Sequence, residues 1–173
     1  MRTLSLVVAI VLVLAPSTFA ANCPEVRVYF SPNGGCTEQI VKELGLAKRT
    51  ILLQAYSFTS KDIAAALVAA KKRGVDVQAI LDKSASKQTY SEADFLSHAN
   101  VKTLIDPKHA IAHNKVMVVD GEITITGSFN FTKAAEERNA ENLLIIRDKS
   151  IAEKYTGNWR EHEKHSEAYD GHK

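Results

Sequence analysis

Three side chains of complementary chemistry lie close together at His113, Lys115 and Asp120, spaced as His-x-Lys-x4-Asp. Ser128, Asn130 and Glu141 follow within the next two dozen positions. A phosphodiester is the kind of group such a set can serve. Its negative charge repels anionic nucleophiles, so a catalyst must supply positive charge at the non-bridging oxygens, a nucleophile, and an acid for the leaving oxygen. Lys115 and Asn130 can donate to those oxygens, with Ser128 beside them. His113 can be the nucleophile when a second group holds its other ring nitrogen and fixes the tautomer. Glu141 is the candidate for that group; an ordinary strand-end carboxylate is the other reading of it.

The local pattern predicts how these residues are held. Two β-rich runs, 113–119 and 122–127, flank Asp120-Gly121, and Asp-Gly in that setting is the strongest short-range signal for a two-residue hairpin turn. Such a turn sets Val119 opposite Glu122, Lys115 opposite Thr126 and His113 opposite Ser128. Cross-strand partners share a face, as do residues two apart. One face then gathers His113, Lys115, Thr126 and Ser128, with Asn130 extending the line, and the other carries Val116, Val118, Ile123 and Ile125 toward a core. A turn aspartate points away from the His113 face. Asp120 therefore joins the catalytic set of His113, Lys115 and Glu141 in a supporting part only.

His113-x-Lys115-x4-Asp120, followed by Gly127-Ser128-x-Asn130, resembles the signature of the phospholipase D superfamily. Ala55-Tyr56-Ser57-Phe58-Thr59-Ser60 and Glu141-Asn142 are similar to its small bacterial endonuclease branch, often called Nuc, and the likeness runs from Val26 to Trp159. The resemblance implies a metal-independent phosphodiesterase without cofactors, in the first place an endonuclease of low sequence specificity acting on nucleic acid. It also implies two steps, through a phosphohistidine that water hydrolyses, with a second histidine serving as acid and then as base. Large members carry the motif twice in one chain; this sequence carries it once. A homodimer whose two His113 side chains share one active site is the expected solution. Lipid-directed phospholipase D activity is the alternative, and a catalytically silent interaction domain of the same fold is a further one.

Composition narrows the setting. Residues 1–20 read as a secretory signal: Arg2, an apolar run from Leu4 to Ala15, and the small-residue site Thr18-Phe19-Ala20. The run is shorter than the roughly 20 apolar residues that a membrane span needs. A periplasmic or secreted protein with no stable membrane association after signal cleavage is expected. Without that leader, 21 Lys and Arg stand against 20 Asp and Glu, a formal charge of +1. Any attraction for phosphate must then be local, and no base-reading module is visible. Cys23 and Cys36, the two cysteines, are expected to form a disulfide in an exported chain. No cluster shows metal-ligand spacing: His109 and His113 are separated by strand pattern, and His162 and His165 read as a solvated helix face.

The elements predicted around the hairpin alternate. Strands are expected at 26–30, 49–58, 75–81, 101–105 and 141–147, and helices at 37–47, 61–73, 91–98, 133–138 and 150–167. The run from Arg49 to Phe58 is nearly continuous in apolar residues, which suits a strand buried on both faces. Ser60 is a helix cap, and Trp159 is expected in packing, while Tyr56 fits either packing or base stacking. This is an α/β fold, a mixed β-sheet flanked by helices, forming one domain over residues 21–173.

Overall fold

The computed structural model describes residues 23–87 and 92–172. The leader expected at residues 1–20 lies outside the described residues. Eight strands form one sheet: β1 (Glu25–Ser31), β2 (Thr50–Ala55), β3 (Asp76–Asp82), β4 (Lys102–Asp106), β5 (Lys115–Val119), β6 (Ile123–Gly127), β7 (Glu141–Arg147) and β8 (Glu167–Ala168). Their order is β1-β7-β6-β5-β2-β3-β4-β8. Only β2-β3 and β3-β4 pair in parallel, so the sheet is mixed, as expected from alternating elements around a central hairpin.

Helices cover both faces because the central strands are apolar on both. Helices α1 (Cys36–Leu46), α2 (Lys61–Lys72) and α3 (Glu92–His98) bring Ile40, Leu44, Ile63, Leu67 and Leu96 onto Leu53, Met117, Ile125 and Ile145. A short α4 (Lys133–Glu137) follows β6, and on the other face α5 (Lys149–Glu163) lays Ala152 and Trp159 over Leu52, Ile80, Leu104, Val116 and Val118. Trp159 is 1% exposed, and its indole N–H donates to the Leu53 carbonyl at 2.8 Å. Removing so large a buried ring typically costs about 3–5 kcal/mol. Helix starts follow from side-chain caps: Ser60 accepts from the Ile63 amide for α2, and Asp148 from the Ile151 amide for α5. The last helix stops at Glu163, four residues before the end expected from its pattern, and the chain turns back to add β8 beside β4.

The hairpin register differs by one residue from the expected one. Asp120 and Gly121 take left-handed backbone angles (φ 56° and 67°), and the Glu122 amide donates to the Val119 carbonyl at 3.0 Å, so the turn forms as its sequence demands. Glu122, however, stays in the loop. Its carboxylate meets Arg49 and Lys149, and its carbonyl accepts from the Asp148 amide. Val119 pairs with Ile123, and Val116 rather than Lys115 pairs with Thr126. A one-residue slip moves every side chain to the opposite face. Lys115 accordingly shares its face with Met117, Val119, Ile123 and Ile125, while Thr124 and Thr126 join Val116 and Val118.

The expected disulfide is absent. Cys23 is exposed ahead of β1, and Cys36 is buried at the first turn of α1. Between them β1 runs extended for seven residues, about 20 Å of chain, whereas bridged Cα atoms lie within about 7 Å. Burial, and then the charge of Glu136, push the Cys36 thiol up to about 11.

Candidate active site

The motif histidine sits just before β5, where the strand begins with Lys115. Alignment of β2 against β5 pairs Ala55 with Lys115, and the Tyr56 amide donates to the Asn114 carbonyl at 2.9 Å. This delivers the Tyr56 ring to the motif: it lies 4.7 Å from the His113 ring and 5.3 Å from the Lys115 ammonium. Lys115 is only 7% exposed, and its Nζ donates to the His113 carbonyl at 2.8 Å. Burial pulls its pKa below the usual lysine range, and the charge of Glu141 opposes that shift. A half-desolvated cation of this kind has strong reason to accept an anion. His113 itself is exposed and free to meet a substrate.

The second motif segment is set by close backbone contact. At Gly127 (φ 146°) a Cβ would lie 2.3 Å from the Asn142 carbonyl oxygen, so no side chain fits. That carbonyl accepts from the amides of Ser128 and Phe129 at 3.1 and 3.2 Å. The Ser128 hydroxyl accepts from the Asn142 amide and side chain, at 3.0 and 3.3 Å, which leaves its own proton free to donate. Phe129 and Phe131, both fully buried, hold Asn130 between them. Phe131 bridges to Phe58, so the chain from Ala55 to Phe58 spans the His113 segment and the Asn130 segment. The Asn130 side-chain oxygen is buried with no hydrogen-bond partner among the described residues. Glu141 opens β7 next to β6, close enough to act on Lys115. Among the described residues its hydrogen-bond donor is Asn139, at 3.1 Å, not His113.

Asp120 is placed at the other end of β5, about 16 Å along the strand from Lys115. Its carboxylate accepts from the backbone amides of Lys48, Arg49 and Thr50 at 3.0, 2.7 and 3.0 Å, and its own amide donates to the Thr50 carbonyl. Burial works against the charge, but the three amides and Arg49 hold the carboxyl below the usual carboxylate range. Asp120→Ala is therefore expected to lower unfolding stability by roughly 2–4 kcal/mol with kcat retained, as urea denaturation and turnover measured side by side would show. Because the folded value is lowered, this contribution is complete above the unfolded value of about 4 and disappears as pH falls through the folded one. The stability gap between variant and wild type should close in acid. Intact stability with lost turnover would place Asp120 in the site.

Two features were missed in the sequence. Asp82, 3% exposed at the end of β3, accepts from the amides of Ser84 and Ala112 and so pins the loop leading to His113. The signal was a strand of apolar residues ending in a carboxylate at the carboxyl edge of a parallel sheet. The second corrects the reading of His162 and His165 as a solvated helix face, and it brings in His109, which the sequence had set only against His113. These three rings gather around Asp106, the last residue of β4.

An accessible imidazole beside a buried ammonium, with the Ser128–Asn130 segment linked to it through Ala55–Phe58 on an α/β scaffold, suits chemistry at a phosphate. The family profile described as "Cardiolipin synthase, PLD-like domain" matches residues 40–162. A phospholipase D of Rickettsia felis is 44% identical over 135 residues, 78% of this chain and 68% of the relative. A mitochondrial cardiolipin hydrolase of Xenopus laevis is 35% identical over 131 residues, 76% of this chain and 60% of the relative. The crystal structure of Nuc from Salmonella typhimurium, a phospholipase D family member, superposes with a TM-score of 0.80 at 37% identity, covering 84% of this chain and 98% of that one. The chain belongs to the phospholipase D superfamily. It is accordingly a hydrolase of phosphodiester bonds.

Proposed function

We propose that the chain is an endonuclease of low sequence specificity whose active site is completed by a second copy of itself. The observation that carries the substrate class is Tyr56, whose ring lies against His113 and Lys115. An aromatic face beside a phosphate-binding cation gives any base a surface to stack on, whatever its identity. The leader pattern of residues 1–20 supports a periplasmic or secreted location. Among the described residues no helix is long and apolar enough to cross a membrane.

The reaction needs two histidines, and one chain offers one His113 in the motif. A twofold axis sets the same patch of each subunit face to face. His113 attacks phosphorus, a P–N bond forms, and the P–O bond to the leaving oxygen breaks as the partner subunit's His113 gives that oxygen its proton. Water then attacks phosphorus, losing a proton to the same ring, and the P–N bond breaks. Lys115 neutralises the non-bridging oxygens in both steps while Asn130 and Ser128 donate to them, and Glu141, whose charge reaches Lys115, is the candidate to orient the His113 ring. An apolar stripe supports the pairing. Val26, Val28 and Phe30 are 46, 49 and 66% exposed on β1, and Phe30 lies beside Asn142, the residue that holds Ser128. Exposed apolar strips of this kind mark contact surfaces.

Lipid phosphodiesters are the second reading, favoured by the names of the Rickettsia and Xenopus relatives. Purified protein incubated in excess chelator with plasmid DNA, with phosphatidylcholine vesicles and with cardiolipin vesicles separates the two. The plasmid should be nicked and then fragmented, without release of phosphatidate. Phosphatidate release from either vesicle with the plasmid intact would overturn the nuclease reading.

A further inference from the structure

The buried carboxylate of Asp106 is surrounded in an unusual way. The residue is fully buried, and its Oδ1 accepts from the Lys108 amide at 3.0 Å. Its Oδ2 faces three imidazoles at once: His109 Nδ1 at 2.9 Å, His162 Nδ1 at 2.8 Å and His165 Nε2 at 3.3 Å. A carboxylate oxygen has about two lone-pair directions. Three rings on one oxygen exceed them, and three protonated rings would crowd like charges within ring-centroid separations of 4.8–5.3 Å. Neither a plain hydrogen-bond cluster nor a plain ion-pair cluster accounts for the arrangement.

A cation at the centre does. One ligand atom from each of the four residues lies within 4.8 Å of all the others. Metal–nitrogen and metal–oxygen bonds of about 2.0–2.2 Å put the corners of a tetrahedron about 3.3–3.5 Å apart. Three of the four-residue set's contacts, those to Asp106, are already 2.8–3.3 Å. Three imidazoles and one carboxylate suit Zn²⁺, and they are poor company for Mg²⁺ or Ca²⁺, which take oxygen ligands. We propose that Asp106, His109, His162 and His165 form a closed, structural Zn²⁺ site that clamps the C-terminal helix to the catalytic edge of the sheet. Four protein ligands leave no open position, so the ion supports the fold rather than the chemistry.

The placement gives the clamp something to hold. Asp106 and His109 come from the end of β4 and the loop after it, and His162 and His165 from the last turn of α5 and the residues beyond. The same loop runs on through Ala112, tied to Asp82, to His113. Its start is fastened at His109, where Lys83 also donates to the backbone carbonyl at 2.9 Å.

The test uses the untagged full chain, stripped by chelator and dialysed, and Zn²⁺ alone as the probe. Calorimetry should find one tight site per chain, and the thermal midpoint should rise by about 5–10 °C at a hundredfold excess over Kd. His165→Gln, at a partly exposed ring, should still fold and should weaken Zn²⁺ binding by more than about a hundredfold. Co²⁺ added to the stripped wild type should give the intense visible bands of a tetrahedral site, a readout that depends on no variant. A chain that takes up no Zn²⁺, an octahedral Co²⁺ spectrum, or full affinity in His165→Gln would each overturn the proposal. Activity does not enter: the stripped protein, held below its lowered midpoint, should still cleave if the nuclease reading is right.

Discussion

His113→Ala should cost on the order of 10⁴-fold or more in kcat while leaving the circular dichroism spectrum and melting point unchanged, since the side chain is exposed and packs in no core. The stronger form of this result comes from mixing the variant with wild type under subunit exchange. In the proposed shared site one substrate phosphate lies across the axis and uses one His113 as nucleophile and the other as acid. A heterodimer then lacks one role or the other, whichever way the substrate enters. Activity should fall as the square of the wild-type fraction. A linear fall, or an active monomer in sedimentation, would overturn the shared site.

Lys115→Met should lower kcat by about a hundredfold or more without loss of stability. Methionine keeps most of the volume and removes a cation that is 7% exposed and is weakly compensated, by Glu141, in the free protein. A buried ammonium held by the His113 carbonyl and the Tyr56 ring, with no carboxylate in contact, is a cost to folding, so the melting point should hold or rise. A rise in stability paired with a collapse of turnover is the signature of a group placed for its substrate rather than for the fold. Near-normal kcat in this variant would remove Lys115 from the catalytic set.

The α/β class and the central hairpin were legible because period, turn residues and apolar runs act locally. Ser60 and the Asp-Gly turn declare themselves by chemistry confined to three or four neighbours. The register was not legible. It goes with Glu122 staying in the loop, where its carbonyl takes the Asp148 amide and its carboxylate meets Arg49 and Lys149, all from distant parts of the chain. The two motif segments could be paired on paper only by assuming direct opposition of His113 and Ser128. In the fold they are joined through the third chain from Ala55 to Phe58. The disulfide expectation rested on export and an even count, and neither term contains the length of β1. The Asp106 cluster was invisible for the same kind of reason. Its halves lie 56 residues apart, one after a strand and one at a helix end, and only the packing of α5 across the sheet brings them together.

The two residues of β8 bear on solubility. An unpaired edge strand is a template on which other chains can add, the first step toward aggregates. One edge of this sheet would be β4, with Leu104 and Ile105 along it, had the chain stopped at the end of α5. Instead Glu167 and Ala168 pair with that edge, and the Tyr169 amide reaches the Thr103 carbonyl at 2.9 Å. A strand this short offers almost nothing for a further strand to join, and it carries a glutamate outward. The C-terminal residues thus guard this edge against strand addition, and in the proposed dimer they leave β1, at the opposite edge with its exposed Val26, Val28 and Phe30, as the contact surface.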